Sequence, residues 1–116
     1  MFRFREFKVY KDAKKFAAIC ENALKPIKSG NFPLINQIRS AYISIVLNIA
    51  EGSACDSDKE FARFLEISLR SVHEVVAAFD LCFELGLVDG IILKEIDEEA
   101  ESLCKQINGF RRSLKK

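Results

Sequence analysis

The sequence predicts an all-α protein: an antiparallel up-down-up-down four-helix bundle forming one domain over residues 1–116. Three observations lead there. Apolar residues recur at steps of three and four in four separate stretches, and strand-like alternation is absent. Short breaks rich in Gly, Pro, Ser and Asp separate those stretches. The 116 residues, 49% hydrophobic and 30% charged, suffice for one core and not for two domains.

The first helix is expected from Phe7 to Lys28, because Phe7, Tyr10, Ala13, Ala17, Cys20, Leu24 and Ile27 share one face. Pro26 distorts its last turn, and Ser29-Gly30-Asn31-Phe32-Pro33 stops it. The second runs from Pro33 or Leu34 to Glu51. Ile35, Ile38, Tyr42, Ile45 and Ile49 mark its main face, while Leu34, Ala41, Val46, Leu47 and Ala50 add apolar surface elsewhere. A helix apolar nearly all round is buried on several sides, which means a central helix or one at a subunit interface. Gly52 is expected to be its C-cap, where glycine permits positive φ.

The third helix starts on the capping box Ser57…Glu60, in which each side chain can satisfy an orphan N–H of the first turn. Phe61, Phe64, Leu65, Leu69, Val72, Val75, Val76, Phe79 and Phe83 carry its face as far as Leu85-Gly86. It is roughly 42 Å long. That exceeds its neighbours, so an overhang covered by another chain is expected. The fourth helix follows Asp89-Gly90 with an unbroken seam of Leu93, Ile96, Ala100, Leu103, Ile107, Phe110 and Leu114, and Gly109 is its soft spot.

The amino-terminal residues lack the apolar run of a signal peptide. The most apolar stretch, Ala41 to Ala50, is too short to span a bilayer. A cytoplasmic location follows as the expectation, with Cys20, Cys55, Cys82 and Cys104 reduced and no membrane partner. A single His and scattered cysteines make no zinc site. No Gly-rich phosphate loop is present, and no cofactor, catalytic residue or small-molecule substrate is expected. His73 reads as an ordinary surface or interface residue, and Cys55, beside Asp56 and Asp58, has no reason to be a reactive thiolate.

Net charge is +1, but it is unevenly spread. Residues 1–30 hold eight Lys/Arg against three acids, and residues 55–90 hold eight acids against three Lys/Arg. One explanation places helix 1 beside helix 3, within a subunit or across subunits. The other has Arg3, Arg5, Lys8, Lys11, Lys14 and Lys15, with Arg39, contacting phosphates of RNA or DNA. Composition favours the first.

The segment Gln37-Ile38-Arg39-Ser40-Ala41 … Ser44-Ile45 … Asn48-Ile49-Ala50-Glu51-Gly52 is distinctive, as is Glu60-Phe61 … Phe64-Leu65-Glu66-Ile67-Ser68 … Ser71 … Glu74. Together they resemble the four-helix-bundle proteins encoded in intervening sequences of bacterial 23S ribosomal RNA genes. That family includes the accessory variability determinant of diversity-generating retroelements. The resemblance implies an antiparallel bundle that assembles into homopentamers; for the retroelement member it implies binding to nucleic acid and to a reverse transcriptase. This chain departs from the pattern where acidic residues follow Gly52 and where Arg70 precedes Ser71.

Gln37, Ser44, Asn48 and Glu51 form a polar stripe on an otherwise apolar helix, and Ser68, Ser71 and Glu74 form another on helix 3. With Gly52 they are expected to build a polar network between helices or subunits that fixes register. Acid/base chemistry or metal binding by Glu51 and Glu74 is the weaker alternative. The expected function is a non-enzymatic protein that associates with itself as a homopentamer and serves as a scaffold or accessory factor. The alternative is nucleic-acid binding through the basic amino-terminal helix.

Overall fold

Each apolar face in the sequence becomes a buried face in the structure, a computed structural model that describes residues 1–28 and 30–114. Ser29, in the predicted break, and Lys115 and Lys116 lie outside the described residues. A 3-10 turn at Arg3–Glu6 precedes four α-helices: α1 (Lys8–Leu24), α2 (Phe32–Ser53), α3 (Asp58–Glu84) and α4 (Gly90–Ser113). No strand occurs among the described residues. Nor is any of their helices long and apolar enough to cross a membrane.

Local chemistry explains the boundaries. α1 stops at Leu24, short of the expected Lys28. Pro26 has no N–H to continue the ladder, and Ile27 N instead closes a tighter turn on Leu24 O at 3.0 Å. α2 starts one residue earlier than expected, with Pro33 inside its first turn, where a missing N–H costs nothing. Ser57 Oγ accepts the Glu60 amide at 3.1 Å and Asp89 Oδ1 accepts the Ile92 amide at 2.9 Å, so both later helices begin on a side-chain cap. Gly86, at φ 75°, takes the left-handed conformation after α3. The fourth helix runs through Gly109 without a break.

Phe16, Phe61, Phe79, Ile38, Ile45 and Ile49 are completely or almost completely buried, as are Leu65, Ile96, Leu103 and Ile107. α2 packs on α1 and α3, and α4 packs on the same two helices from the other side. The basic α1 and the acidic α3 therefore occupy diagonal corners. This overturns the expectation that they lie side by side within one subunit. Short connections seat each helix against its sequence neighbours, which leaves the α1–α3 pair as the diagonal. The bundle measures 44 × 22 × 20 Å. α3, about 40 Å long by its rise per residue, fits within the long dimension. At its first turns Phe61 is covered by the chain's own Phe7 and Phe110, with ring centroids 6.3 and 5.1 Å away. No overhang exists at that end.

Candidate functional site

The distinctive Asn48–Gly52 run ends α2 where the chain turns toward α3. Gly52 does not cap the helix, contrary to expectation. It lies inside α2 and is buried, and positive φ among the described residues is confined to Gly30 and Gly86. A Cβ on Gly52 would stand 2.7 Å from Phe61 Cδ1 and 2.9 Å from Phe64 Cβ. The glycine is there because α3 passes too close for any side chain. Beside it, Arg3 donates from Nε and Nη2 to the Ser53 carbonyl at 3.1 and 3.0 Å. The same guanidinium stands 5.5 Å from the Phe61 ring centroid and 5.9 Å from that of Phe7. A cation at the carboxyl end of α2 satisfies an orphan carbonyl and complements the helix dipole.

Between α2 and α3 runs the polar seam. Gln37 Nε2 donates to Glu74 Oε2. Ser71 Oγ is 2.8 Å from Ser44 Oγ and 3.1 Å from Ile67 O. Asn48 Nδ2 donates to the carbonyl and hydroxyl of Ser44 at 2.8 and 2.9 Å. Ser68, fully buried, donates to Ile45 O at 2.9 Å. Of the expected network, Gln37, Ser44, Asn48, Ser71 and Glu74 come together. Glu51 does not: it is exposed and its carboxylate takes no part. Glu74 pairs at the level of Gln37, which lies about 20 Å along α2 from Glu51 by helical rise. Within one chain Glu51 and Glu74 are therefore too far apart to act as a carboxylate pair.

None of the four thiols is activated. Burial pushes Cys20 up to about 12 and raises Cys82 and Cys104. Cys55 is raised by desolvation and then by the nearby Glu60, Asp56 and Glu51. Among the described residues no three His, Cys, Asp or Glu side chains converge in a metal-binding group.

The outer side of the seam is apolar. Ile43 and Leu47, one turn apart on α2, are 48% and 50% exposed, and Ile67 on α3 is 42% exposed. Phe32, Leu81 and Leu85 are further exposed apolar groups on these two helices and the residue that ends α3. In the sequence Ile67 stands out only as part of the distinctive Phe64–Ser68 run and falls between the residues of the buried face; only its i, i+4 relation to Ser71 could have placed it on this side.

Residues 5–109 match the model of a family described as 23S rRNA-intervening sequence protein. The chain belongs to this family. A crystal structure of a protein of unknown function from the S23 ribosomal protein family of Bacteroides thetaiotaomicron VPI-5482 has the same fold. Its TM-score is 0.82 at 20% identity, over 90% of this chain and 99% of that one. No curated protein matches the chain.

The cations singled out from the sequence divide into two groups. Arg3 is used inside the fold, as described. Lys8 donates to Asp12 at 2.7 Å, and this bond, with one from Gln106, holds the Asp12 carboxyl below its ordinary range. Arg39 grips Glu21 through Nε and Nη2 at 3.0 and 2.8 Å, while Tyr42 donates to the same carboxylate at 2.7 Å. These bonds hold Glu21 at about 2, and burial followed by the Glu21 bond raises Tyr42 to about 12. Arg5 and Lys14 lie over the rings of Phe2 and Tyr10, each 5.0 Å from the centroid. Lys11 and Lys15 are exposed and form no ion pair among the described residues. Nothing in the spacing groups these with α4, yet Phe7 meets Phe110 at 5.1 Å and Asp12 meets Gln106 at 2.9 Å. Arg111 and Arg112 therefore sit at the same end as Arg5 and Lys11, and Lys105 shares a depression with Lys8.

Proposed function

We propose that this protein is a non-enzymatic, self-assembling module whose copies meet through the outward face of α2 and the adjoining part of α3. The observation that carries this is the exposed trio Ile43, Leu47 and Ile67 beside an internally satisfied polar seam. Each half-exposed side chain, once covered, contributes about 1 kcal/mol to association. A second copy is the occupant, because the face also carries charge of both signs, Arg63 and Arg70 with Glu51 and Glu74, as a self-recognising surface requires. The resemblance of the sequence favours a ring of five. The antiparallel up-down-up-down course is supported by contact order: Gln37, Ser44 and Gly52 advance along α2 while their α3 partners Glu74, Ser71 and Phe61 recede. Four unpaired thiols support a reducing cytoplasm. In that setting a scaffold or accessory role follows.

Solution mass of the wild type and of Leu47→Glu/Ile67→Glu tests the assembly. The wild type should be a discrete oligomer, and the double variant a helical monomer by circular dichroism. A monodisperse wild-type monomer, or an unchanged mass for the variant, would overturn the proposal.

A second function is favoured by the shared basic end. Arg5, Lys11 and Arg112, none of them in an ion pair among the described residues, give a cationic surface suited to phosphate contacts with RNA or DNA. Single-stranded RNA should be retained at low salt and lost as salt rises. Absence of retention at low salt removes this alternative.

A further inference from the structure

We infer that the groove between α3 and α4 is a docking site for a cationic amphipathic helix of a partner protein. The groove lies on the flank away from α1 and shares no lining residue with Ile43, Leu47 or Ile67, so this inference stands independently of self-assembly. It has a volume of about 620 Å³. Val76 and Cys104, both half-buried, form its floor over the buried Val72 and Ala100. Asp80 stands on its α3 rim, and Asp97 and Glu101 on its α4 rim.

The chemistry of this lining selects the occupant. The floor is apolar, and the residues from Val72 to Asp80 extend about 12 Å, or two helical turns. A groove between two packed helices accepts a third in the same manner, with anchors at i, i+3 or i+4 entering the floor. The rims decide the sign of charge. Asp80 and Asp97 form no ion pair among the described residues, and Glu101 has only an exposed i, i+4 contact with Lys105 at 3.4 Å. Three acids, Asp80, Asp97 and Glu101, line the groove with His73 and with no Lys or Arg. Such a field repels phosphate and anionic lipid and attracts a helix with Lys or Arg flanking its apolar stripe. The outward face of α1 is cationic but lacks that stripe, since Lys11, Lys14, Lys15 and Ala18 occupy it. A second copy therefore fits less well than a foreign helix.

The test uses the full chain and two synthetic helical peptides, one built of Leu and Lys with Leu at i, i+3 and i+4, the other with Glu replacing Lys. Fluorescence anisotropy should show binding of the Lys peptide only. Asp80→Asn/Asp97→Asn/Glu101→Gln should weaken it about tenfold. Glu95→Gln/Glu99→Gln, exposed on α4 but outside the groove, should leave it within about twofold. The peptide should also protect Cys104 from maleimide while leaving Cys55 reactive. Failure to bind the Lys peptide would overturn the inference. So would equal losses in the two variants, or nuclear magnetic resonance shifts confined to α2 and α3. Concentration-dependent shifts on α1 in the absence of peptide would identify the occupant as a second copy, and likewise overturn it.

Discussion

Gly52→Ala and Gly109→Ala make the same chemical change in two helices and should move stability in opposite directions. At Gly52 the new methyl carbon would sit 2.7 Å from Phe61 Cδ1 and 2.9 Å from Phe64 Cβ. The second neighbour matters more, because a Cβ cannot rotate away from its own backbone. α2 and α3 must separate at that point, which costs about 1–3 kcal/mol as overpacking. Alanine returns up to about 1 kcal/mol of helix propensity. The net loss is about 1–2 kcal/mol, or about 4–8 °C in Tm for a domain of this size. At Gly109 the nearest atom is Arg112 Nη2 at 4.0 Å, so there the propensity gain stands alone. Stability should rise by about 0.5–1 kcal/mol. Thermal and urea unfolding at one fixed protein concentration read both effects, the fixed concentration removing any shift from self-association. Phe61→Leu relieves the contact, so its combination with Gly52→Ala should lose less than the two single losses added. A Gly52→Ala protein as stable as the wild type would refute the close-approach explanation.

Other expectations are more local. Glu21 titrates near 2 in the fold against 4.5 unfolded, so its contribution is present above pH 4.5 and is lost as pH falls toward 2. Because Glu21 and Arg39 are partly exposed, 32% and 44%, screening reduces that contribution to about 1 kcal/mol. Glu21→Gln should lose about that much at neutral pH and flatten the acid limb of the stability profile measured by urea titration. Ser68→Ala leaves the Ile45 carbonyl with its helix bond alone and should cost about 1 kcal/mol in the same assay. Ellman's reagent at pH 8 should modify Cys55 first, whereas Cys20 and Cys82, both buried, should react only on unfolding.

Periodicity made most of the fold legible. The α4 seam is buried or packed on the core at every position from Leu93 to Leu114, because a long helix with one apolar stripe has one way to bury it. Ser57 announced its cap for the same reason of locality. What the sequence concealed depends on neighbours from other elements. Gly52 had a local explanation, positive φ after a helix, and a tertiary one, an approaching Phe61; nothing within α2 distinguishes them. Glu51 and Gln37 looked equivalent on a polar stripe, yet only Gln37 finds an α3 partner, because the two helices bring Glu74 and not another polar group alongside. Arg3 read as a free cation until the turn at Arg3–Glu6 brought it to Ser53 O, fifty residues away. The α3–α4 groove had no sequence signal at all, since its rim residues lie on two helices.

The charge imbalance, which the sequence divided between α1 and α3, is better described along the bundle. The acids from Asp80 to Asp97 follow the turn from α3 into α4, while Arg5, Lys11 and Arg112 lie toward the end where Phe7 meets Phe110, an end that also carries Asp56, Asp58 and Glu60 of the α2–α3 turn; Lys8 and Lys105 stand between, in a depression shared with Glu98 and Glu101. A monomer so arranged is a weak dipole with net charge +1. In a ring closed by rotation about an axis along the bundles every copy points the same way, so one rim would collect all the basic ends. Affinity for phosphate would then arise from assembly, since each added contact raises the number of released counterions. Leu47→Glu/Ile67→Glu removes no cation, but each monomer offers only its own basic end. Retention of single-stranded RNA should therefore fall with the double variant, and the slope of log affinity against log salt should become shallower. Two added carboxylates per chain alone shift affinity, so Leu47→Gln/Ile67→Gln serves as the neutral companion. If a monomeric variant keeps the wild-type slope, the basic end acts singly and assembly has no part in any binding.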